Sequence, residues 1–556
     1  TFSETLERAT MPLFGLEAFC FPPDFRENFI WRKQVKLVLD KCRTPRTIIW
    51  RHYLEALHEL RGENLMLGYW RSHVQFQAWL EQRLLSLLPR YEKQLVFYAD
   101  ILEKIYILDL DVLLTMAQSL YAKTGRPSHN QPEIFRALMV MSHYKEGISF
   151  FTKRLQAHPL LAIICGFEPD SVPGVGTFYD FLDRFWLEDE PAKAIRTPPT
   201  KKAKRPKGSD KLPETDSYRV ADLVKKVLSG QPPEDRPEKL LQRILAECAV
   251  KPSLELKLCG DKRKLTIAGD GAPLNTGASH RGMKICSCKE QGIYHCTCPR
   301  QYTGPTANWG WDSYHEQWFY GHTLYCITAA DSYNDLPLLI HITQASRHDS
   351  GTFVTAYSHL REMYGNLPFA TALLDSAHDA YDIYRMLLTH GIEPFIDLNK
   401  RKSGVRTRSE VNVSDDGKPL CMAGLEMKHC GSDLKRQRIK WRCSLHDELE
   451  SCPHSQSCSP SPYGRVFYTK REDDFRLFTR TPRGSKAWKK TYARRTSSER
   501  TLKRTLVDYR IESLRFRSES RWVWFASLSA INQHLDAQST ALGKTLFKKL
   551  GLNKAA

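Results

Sequence analysis

Apolar residues recur at helical spacing from about residue 25 to residue 185, as in Phe76, Leu80, Leu84 and Leu87 and again in Ile134, Leu138 and Met141, so this half is expected to be all-helical. Gly125-Arg126-Pro127-Ser128 interrupts the pattern, and a helix is predicted from Pro132 to Tyr144. A second break, Pro169 to Gly176, places Thr177 as the N-cap of an aromatic-rich helix from Phe178 to Trp186. A helical pair is predicted around Ala221 to Leu228 and Pro237 to Ala249. After residue 260 the period changes from helical to alternating. Strands are predicted at 264–269, 322–330, 336–344, 369–374 and 393–398, helices at 350–363 and 379–390, and a Cys-containing excursion at 283–300. That order describes a mixed α/β sheet. Residues 400–480 are polar and Cys-bearing, strand-like at Arg465 to Thr469 and Phe475 to Thr479, and read as an insertion. A strongly basic helix over about 485–512 and an apolar helix from Trp522 to Leu535 follow, with no internal repeat.

These elements describe a multidomain α+β protein. The expected parts are a helical N-terminal domain (1–188), a basic Pro-rich linker (189–217), a helical connector (218–259), the first part of an α/β core (260–399), a β-rich insertion (400–484), a core completion carrying the basic helix (485–540) and a basic tail (541–556). In the linker, Lys193, Arg196, Lys201, Lys202, Lys204, Arg205, Lys207 and Lys211 alternate with prolines, which reads as a disordered segment whose charge either tracks a phosphate backbone or is simply solvated. Lys and Arg total 82 against 63 Asp and Glu, and the net charge of +19 favours a polyanionic partner over a small-molecule substrate. The 15 Cys accompany no secretory leader, so reduced thiols in the cytoplasm are expected. No apolar run approaches the ~20 residues of a membrane span. The chain opens on Thr1 rather than Met, which suggests that its true start is missing.

Two carboxylates follow apolar strands. Asp270 comes directly after Leu265-Thr266-Ile267-Ala268-Gly269, and Asp375 directly after Ala372-Leu373-Leu374. If the two strands are adjacent and parallel, both carboxylates meet at the C-terminal edge of the sheet, where two like charges need a cation. Glu499 is the candidate third ligand. Tyr492, Arg495, Glu499 and Lys503 share one helical face, in a stretch from Arg480 to Arg521 that holds fourteen Lys or Arg against four acids. Hard oxygen ligands select Mg²⁺, or Mn²⁺ in its place. Such a site suits in-line displacement at a phosphodiester, which requires both the attacking and the leaving oxygen to be stabilised. A lone Asp at a strand end is otherwise a turn former.

Several stretches together resemble the bacterial insertion-sequence transposases with a DDE triad in a ribonuclease H-like fold. They are Ala268 to Leu274, Trp309 to His322, Ala345 to Ser350, Leu374 to Asp379, and Tyr492 to Glu499, which is similar to the family's Tyr-x2-Arg-x3-Glu signature. The likeness covers about residues 100 to 540. It implies a ribonuclease H-like core interrupted by a β-rich insertion, Asp270, Asp375 and Glu499 as metal ligands, and Tyr492 and Arg495 contacting DNA near the reacting end. It further implies cleavage at transposon ends and strand transfer into double-stranded target DNA by a homodimer or larger assembly, in a nucleoid-associated cytoplasmic setting. The extended signature places a Lys seven residues after the Glu, where this chain has Leu506; Lys503 or Arg504 could supply that phosphate contact. Two rival readings are a non-catalytic DNA-binding descendant and a nuclease that cleaves without joining.

Cys286-x-Cys288 and Cys296-x-Cys298 could hold one structural Zn²⁺ tetrahedrally, or remain free reduced thiols. Cys430, Cys443, Cys452 and Cys458, with His446 or His454 in reserve, are a less regular second set. His322, His348 and His378 lie near the carboxylates in sequence and could orient water or phosphate, or simply pack. Trp309, Trp311, Trp318 and Tyr320 suggest either stacking on an unpaired base or ordinary core packing.

Overall fold

The computed structural model describes residues 68, 70–121, 128–188, 190, 192–198, 220–234, 236–399, 412–414, 417–433 and 435–552. The chain divides into two compact units, residues 1–68 with 122–128 and residues 69–121 with 129–556. The break at Gly125-Arg126-Pro127, the body of the basic linker at 199–219, the start of the insertion at 400–411 and the end of the tail lie outside the described residues.

The helical periodicity is realised in α1 (His73–Phe97), α2 (Ala99–Ile107), α3 (Asp111–Ala117), α4 (Gln131–Tyr144), α5 (Ile148–Ala157), α6 (Pro159–Cys165) and α7 (Val175–Arg184). Helix α1 starts where Ser72 and Gln75 cap each other reciprocally, and it buries Phe76, Leu80 and Leu84, the stripe read from their spacing. Helix α7 begins earlier than expected. Its N-cap is Gly174, and Thr177 lies inside the first turn, so the chain enters the helix directly from Pro173-Gly174. The connector forms α8 (Val220–Leu228), α9 (Lys239–Leu245) and α10 (Lys251–Glu255), the last two joined by a π-helical turn at Ala246–Val250.

Twelve strands are described. A small sheet joins β1 (Ala194–Arg196), β3 (Met283–Lys284) and β4 (Arg300–Tyr302) in the order β1-β4-β3. Residues 194–196, expected as disordered linker, thus pair with the Cys-containing excursion; Arg196 is fixed by its bond to the Gly304 carbonyl (3.0 Å) and by lying over the Tyr302 ring. The main sheet contains β2 (Leu265–Asn275), β5 (Asn308–Asp312), β6 (Gln317–Ala329), β7 (Pro337–Gln344), β8 (Phe369–Leu374) and β9 (Glu393–Ile396). Its order is β5-β6-β2-β8-β9, with β7 also beside β6. Strand β6 runs antiparallel to β5, β7 and β2, whereas β2, β8 and β9 are mutually parallel. Helices α11 (Asp349–Met363) and α12 (Tyr381–Thr389) provide the crossovers that parallel strands require.

The insertion contributes β10 (Lys428–Asp433), β11 (Arg438–Arg442) and β12 (Val466–Lys470), an antiparallel sheet over Met427, Ile439 and Trp441. Phe475 to Thr479, expected as a strand, is a turn. The reason is a buried ion pair: Arg476 grips Asp379 with its Nε 2.6 Å from Oδ1 and its Nη2 on Oδ2, which holds this segment against the exit from β8 instead of in a ladder. Beyond α13 (Ser455–Cys458), the basic helix is α14 (Lys486–Tyr492), a 3₁₀ turn at Ala493–Arg495, and α15 (Thr496–Lys503).

Helix α16 (Glu519–Leu542) is buried along most of its length and packs on β7, α4 and α2, followed by the short α17 (Thr545–Lys549). Trp524 sits among Phe135, Phe181 and Phe185, and its indole donates to the Leu182 carbonyl at 2.9 Å. Asn532 donates to Met139 O and Gln538 to Ala249 O, while His534 bridges Ser253 Oγ and Pro337 O. These donors and ring nitrogens thus meet partners on other elements, as burial favours. The α-helical half and the sheet therefore share one central helix.

Asp379→Ala should leave the Arg476 guanidinium buried without its partner and lower stability by about 3–5 kcal/mol. Chemical denaturation monitored by Trp fluorescence checks this, and a loss below about 1 kcal/mol would show the pair to be dispensable.

Candidate active site

Strand β2 pairs with β8 only over Leu265–Ala268, while it continues with β6 as far as Asn275. The two parallel strands therefore part at their C-terminal ends, and the opening is flanked by Asp270 and Asp375. Asp270 is not at a strand end as expected. It lies within β2, opposite Cys326 of β6, because the antiparallel ladder carries the strand past the point where β8 turns away. Its neighbours leave room on the other face of the sheet. A Cβ on Gly269 would stand 2.5 Å from the Tyr325 hydroxyl, and one on Gly271 would stand 2.8 Å from Asp349 Oδ1. Only glycine permits these approaches.

Asp375 caps the 3₁₀ turn Ser376–His378, its Oδ1 accepting from the Ala377 amide at 3.1 Å and lying 2.5 Å from His378 Nδ1. His378 is fully buried, and its Nε2 lies 2.8 Å from the Tyr325 hydroxyl. The imidazole is thus fixed from both sides, which orients the carboxylate. Burial would raise the pKa of Asp375, but the bond from His378 and its charge hold it below the ordinary range. Burial would correspondingly lower that of His378, and Asp375, Asp349 and Asp270 together raise it.

Asp270 behaves in the opposite way. Burial and the neighbouring charge of Asp375 push its pKa up to about 6. Asp349, the first residue of α11, is raised by burial and by Asp375 as well. Asp270 and Asp375 therefore face each other across the opening, oxygen donors with unbalanced negative charge that fit a hard divalent cation such as Mg²⁺ or Mn²⁺, while Asp349 adds charge from the other face of the sheet, behind Gly271.

Helix α15 packs across β2 and β6 and carries Glu499. Arg495 stands between: its Nη2 lies 2.5 Å from Glu499 Oε1 and its Nη1 3.5 Å from Asp270 Oδ2. The Asp270, Asp375 and Glu499 oxygens do not converge on one point, since they are absent from the groups of ligand atoms lying within 4.8 Å of one another among the described residues. A guanidinium instead bridges two of them. Tyr492 stacks on Trp488, with ring centroids 4.6 Å apart, in a cluster with Leu373 and Phe395. Arg495 lies over the same Tyr492 ring. Lys489, Lys490 and Lys503 are exposed.

Not every cation of this basic stretch is available to a ligand. Arg494 pairs with Asp331, Arg500 makes two bonds to Asp335 (2.7 and 2.8 Å), and Arg504 donates to the carbonyls of Asn334 and Asp335. The β6–β7 turn thereby clamps the helix. Arg504 is engaged there, which leaves Lys503 as the exposed one of the two residues considered for the phosphate contact. Burial beside Thr306 pushes the pKa of His322 down to about 4, and His348 caps α11 by accepting from the Ser350 amide, its charge acting on the adjacent Asp349. Asp349 and Tyr325 escaped sequence reasoning as site residues. The signal available was Gly271 beside Asp270, whose close approach by another group only the folded chain identifies.

The four thiols of Cys286, Cys288, Cys296 and Cys298 lie within 4.8 Å of one another. Cys430, Cys443, Cys452 and Cys458 form no such group among the described residues, because the insertion's strands and turns hold them apart. Trp309, Trp311, Trp318 and Tyr320 occupy one face of the β5–β6 hairpin as the cross-strand pairs Trp309–Tyr320 (5.5 Å) and Trp311–Trp318 (5.4 Å). With Trp311 half exposed and Trp318 66% exposed, these rings are not core.

Residues 295–531 match the family described as Transposase DDE domain. The matched segment contains Asp375 and Glu499 and begins after Asp270. No curated protein matches the chain. Among the described residues, no helix is long and apolar enough to cross a membrane.

The raised pKa of Asp270 gives a signed prediction. Without metal, the folded chain holds this proton more tightly than the unfolded chain, so the stabilisation is complete below about pH 4 and is lost as pH rises through about 6. Asp270→Asn should therefore stabilise the metal-free protein by about 2–3 kcal/mol at neutral pH, with the gain fading towards about pH 4.5. Urea denaturation at the two pH values measures it; a gain independent of pH would contradict the assignment.

Proposed function

We propose that this protein is a DNA transposase that cleaves at transposon ends and joins the freed 3′-hydroxyl to target DNA by successive in-line displacements at phosphodiesters. The observation that carries the reading is the parting of parallel β2 and β8, with Asp270 and Asp375 on its two sides and Glu499 tied in through Arg495. A ribonuclease H-like core is supported by the antiparallel strands preceding the parallel ones in a single sheet. The three-stranded sheet between β9 and α14 corresponds to the insertion that such transposases carry.

In this reading Asp270, Asp375 and Glu499 hold Mg²⁺ or Mn²⁺, which when bound stabilises charge on the attacking and leaving oxygens. His378 keeps the Asp375 carboxylate turned to the opening. Arg495 balances Asp270 and Glu499 in the free protein and turns to a DNA phosphate when a cation takes its place. Tyr492, stacked on Trp488, is the platform from which Arg495 works, and Lys489, Lys490 and Lys503 face the DNA backbone. The exposed ring face of β5–β6 offers stacking to an unpaired base at a DNA end. Synapsis of two ends calls for a homodimer or larger assembly on double-stranded DNA, in the nucleoid, without a membrane or small-molecule substrate. The four clustered thiols hold a structural Zn²⁺, since their sulfurs stand as near one another as a tetrahedral site demands.

The test incubates purified protein and Mg²⁺ with DNA carrying its element's ends. Asp270→Ala, Asp375→Ala and Glu499→Ala should each lower cleavage and joining by about 10²–10³-fold or more while DNA binding is retained. Binding without chemistry in the wild type would favour a non-catalytic descendant, and cleavage without joined product would favour a nuclease.

Cys286→Ser/Cys298→Ser should contain one zinc ion fewer per chain than the wild type. Elemental analysis by mass spectrometry checks this, and equal zinc contents would assign the thiols as free.

A further inference from the structure

Three side chains from separate elements meet on the face of the sheet that α11 covers: Glu238 at the N-cap of α9, His341 of β7 and His359 of α11. They are 0%, 0% and 4% exposed, and their ligand atoms all lie within 4.8 Å of one another. His341 pairs across the strands with Tyr325, so both point to this face. Its Nδ1 stands 3.4 Å from Glu238 Oε1, and its ring meets that of His359 edge to face.

Glu238 Oε1 is taken by Arg236, but four other atoms that could ligate are not satisfied. Both ring nitrogens of His341, His359 Nε2 and Glu238 Oε2 are buried without a hydrogen-bond partner. Buried polar atoms are nearly always paired, and four orphans from three converging residues are the mark of a missing common partner. Arg236 does not fill this role. Its Nε bonds Glu238 Oε1 at 2.7 Å, while its Nη2 is spent on the Ile342 carbonyl (2.6 Å) and on Glu519 (3.3 Å). Glu238 Oε2 is left as the ligating oxygen. Arg236 and Arg347 together face Glu234, Glu238 and Glu519, so carboxylates remain in excess and a cation is not repelled.

We propose that Glu238, His341 and His359 bind a divalent transition ion of the zinc and cobalt class. Two imidazoles and one carboxylate suit such an ion and not Mg²⁺, and the fourth position falls to water. Because the site is buried, the ion enters as the chain folds and its role is structural. It clips together the turn before α9, the edge strand β7 and helix α11. The same helix begins with Asp349, which presses on Gly271 beside Asp270, so the clip fixes the helix that lines the carboxylate opening.

The probe is Co²⁺ bound to full-length protein carrying Cys286→Ser, Cys298→Ser and Asp375→Asn, which disables the thiol and oxygen sites. After refolding with Co²⁺, one ion per chain should remain after gel filtration, with weak visible bands and no thiolate charge-transfer absorption, and the melting temperature should exceed that of protein refolded without it. Adding His341→Gln or Glu238→Gln should abolish both effects while far-UV circular dichroism stays native. No Co²⁺ retained by the natively folded background protein, or retention unchanged by both substitutions, would overturn the proposal. Should the background protein not fold, metal content is compared between wild type and His341→Gln: one ion fewer supports the site, and equal contents overturn it.

Discussion

The repulsion between Asp270 and Asp375 is the constraint around which the rest of the molecule is arranged. Two carboxylates on neighbouring parallel strands cost stability unless something positive joins them. The fold answers the two unequally. Asp375 is satisfied locally by the buried His378 and a backbone amide, whereas Asp270, with the Gly271 amide and a long contact to Arg495, has its pKa pushed up to about 6. A site that fully satisfied both would have no remaining affinity for a cation.

Much of the surrounding structure holds that opening in place. The glycines on either side of Asp270 admit Tyr325 and Asp349, and Tyr325 in turn fixes His378. Helix α15 could have been a freely mobile basic surface. Instead Arg494, Arg500 and Arg504 spend their donors on the β6–β7 turn, which fixes the face carrying Glu499 and Arg495 towards β2. The bonds of α16 to β7 and to the helical half extend the same rigidity through the unit.

The strand and helix order of the core was legible because alternation and helical spacing follow directly from which face is buried. That Asp270 and Asp375 could meet was legible only on the condition that their two strands are adjacent and parallel; the pairing of β2 with β8 supplies that condition, although Asp270 lies within its strand and not at its end. What escaped depended on tertiary partners. The exposed face of β5–β6 has no burial pattern that marks it as a strand. Phe475 to Thr479 alternates like a strand, yet the Arg476–Asp379 pair makes it a turn. Net charge could not separate the arginines that clamp α15 from the lysines that remain exposed. The role of Asp349 was hidden for a similar reason, since nothing local tells a helix-starting Asp from one pressed against a glycine across the sheet.

The central claim is that the gap between β2 and β8 is a divalent-cation site, and the most direct measurement is anomalous diffraction from crystals soaked in Mn²⁺. A peak in contact with both Asp270 and Asp375, with the Arg495 guanidinium displaced from Asp270, is the predicted result. Saturating Mn²⁺ that leaves this gap without a peak, and Arg495 still on Asp270, would contradict it.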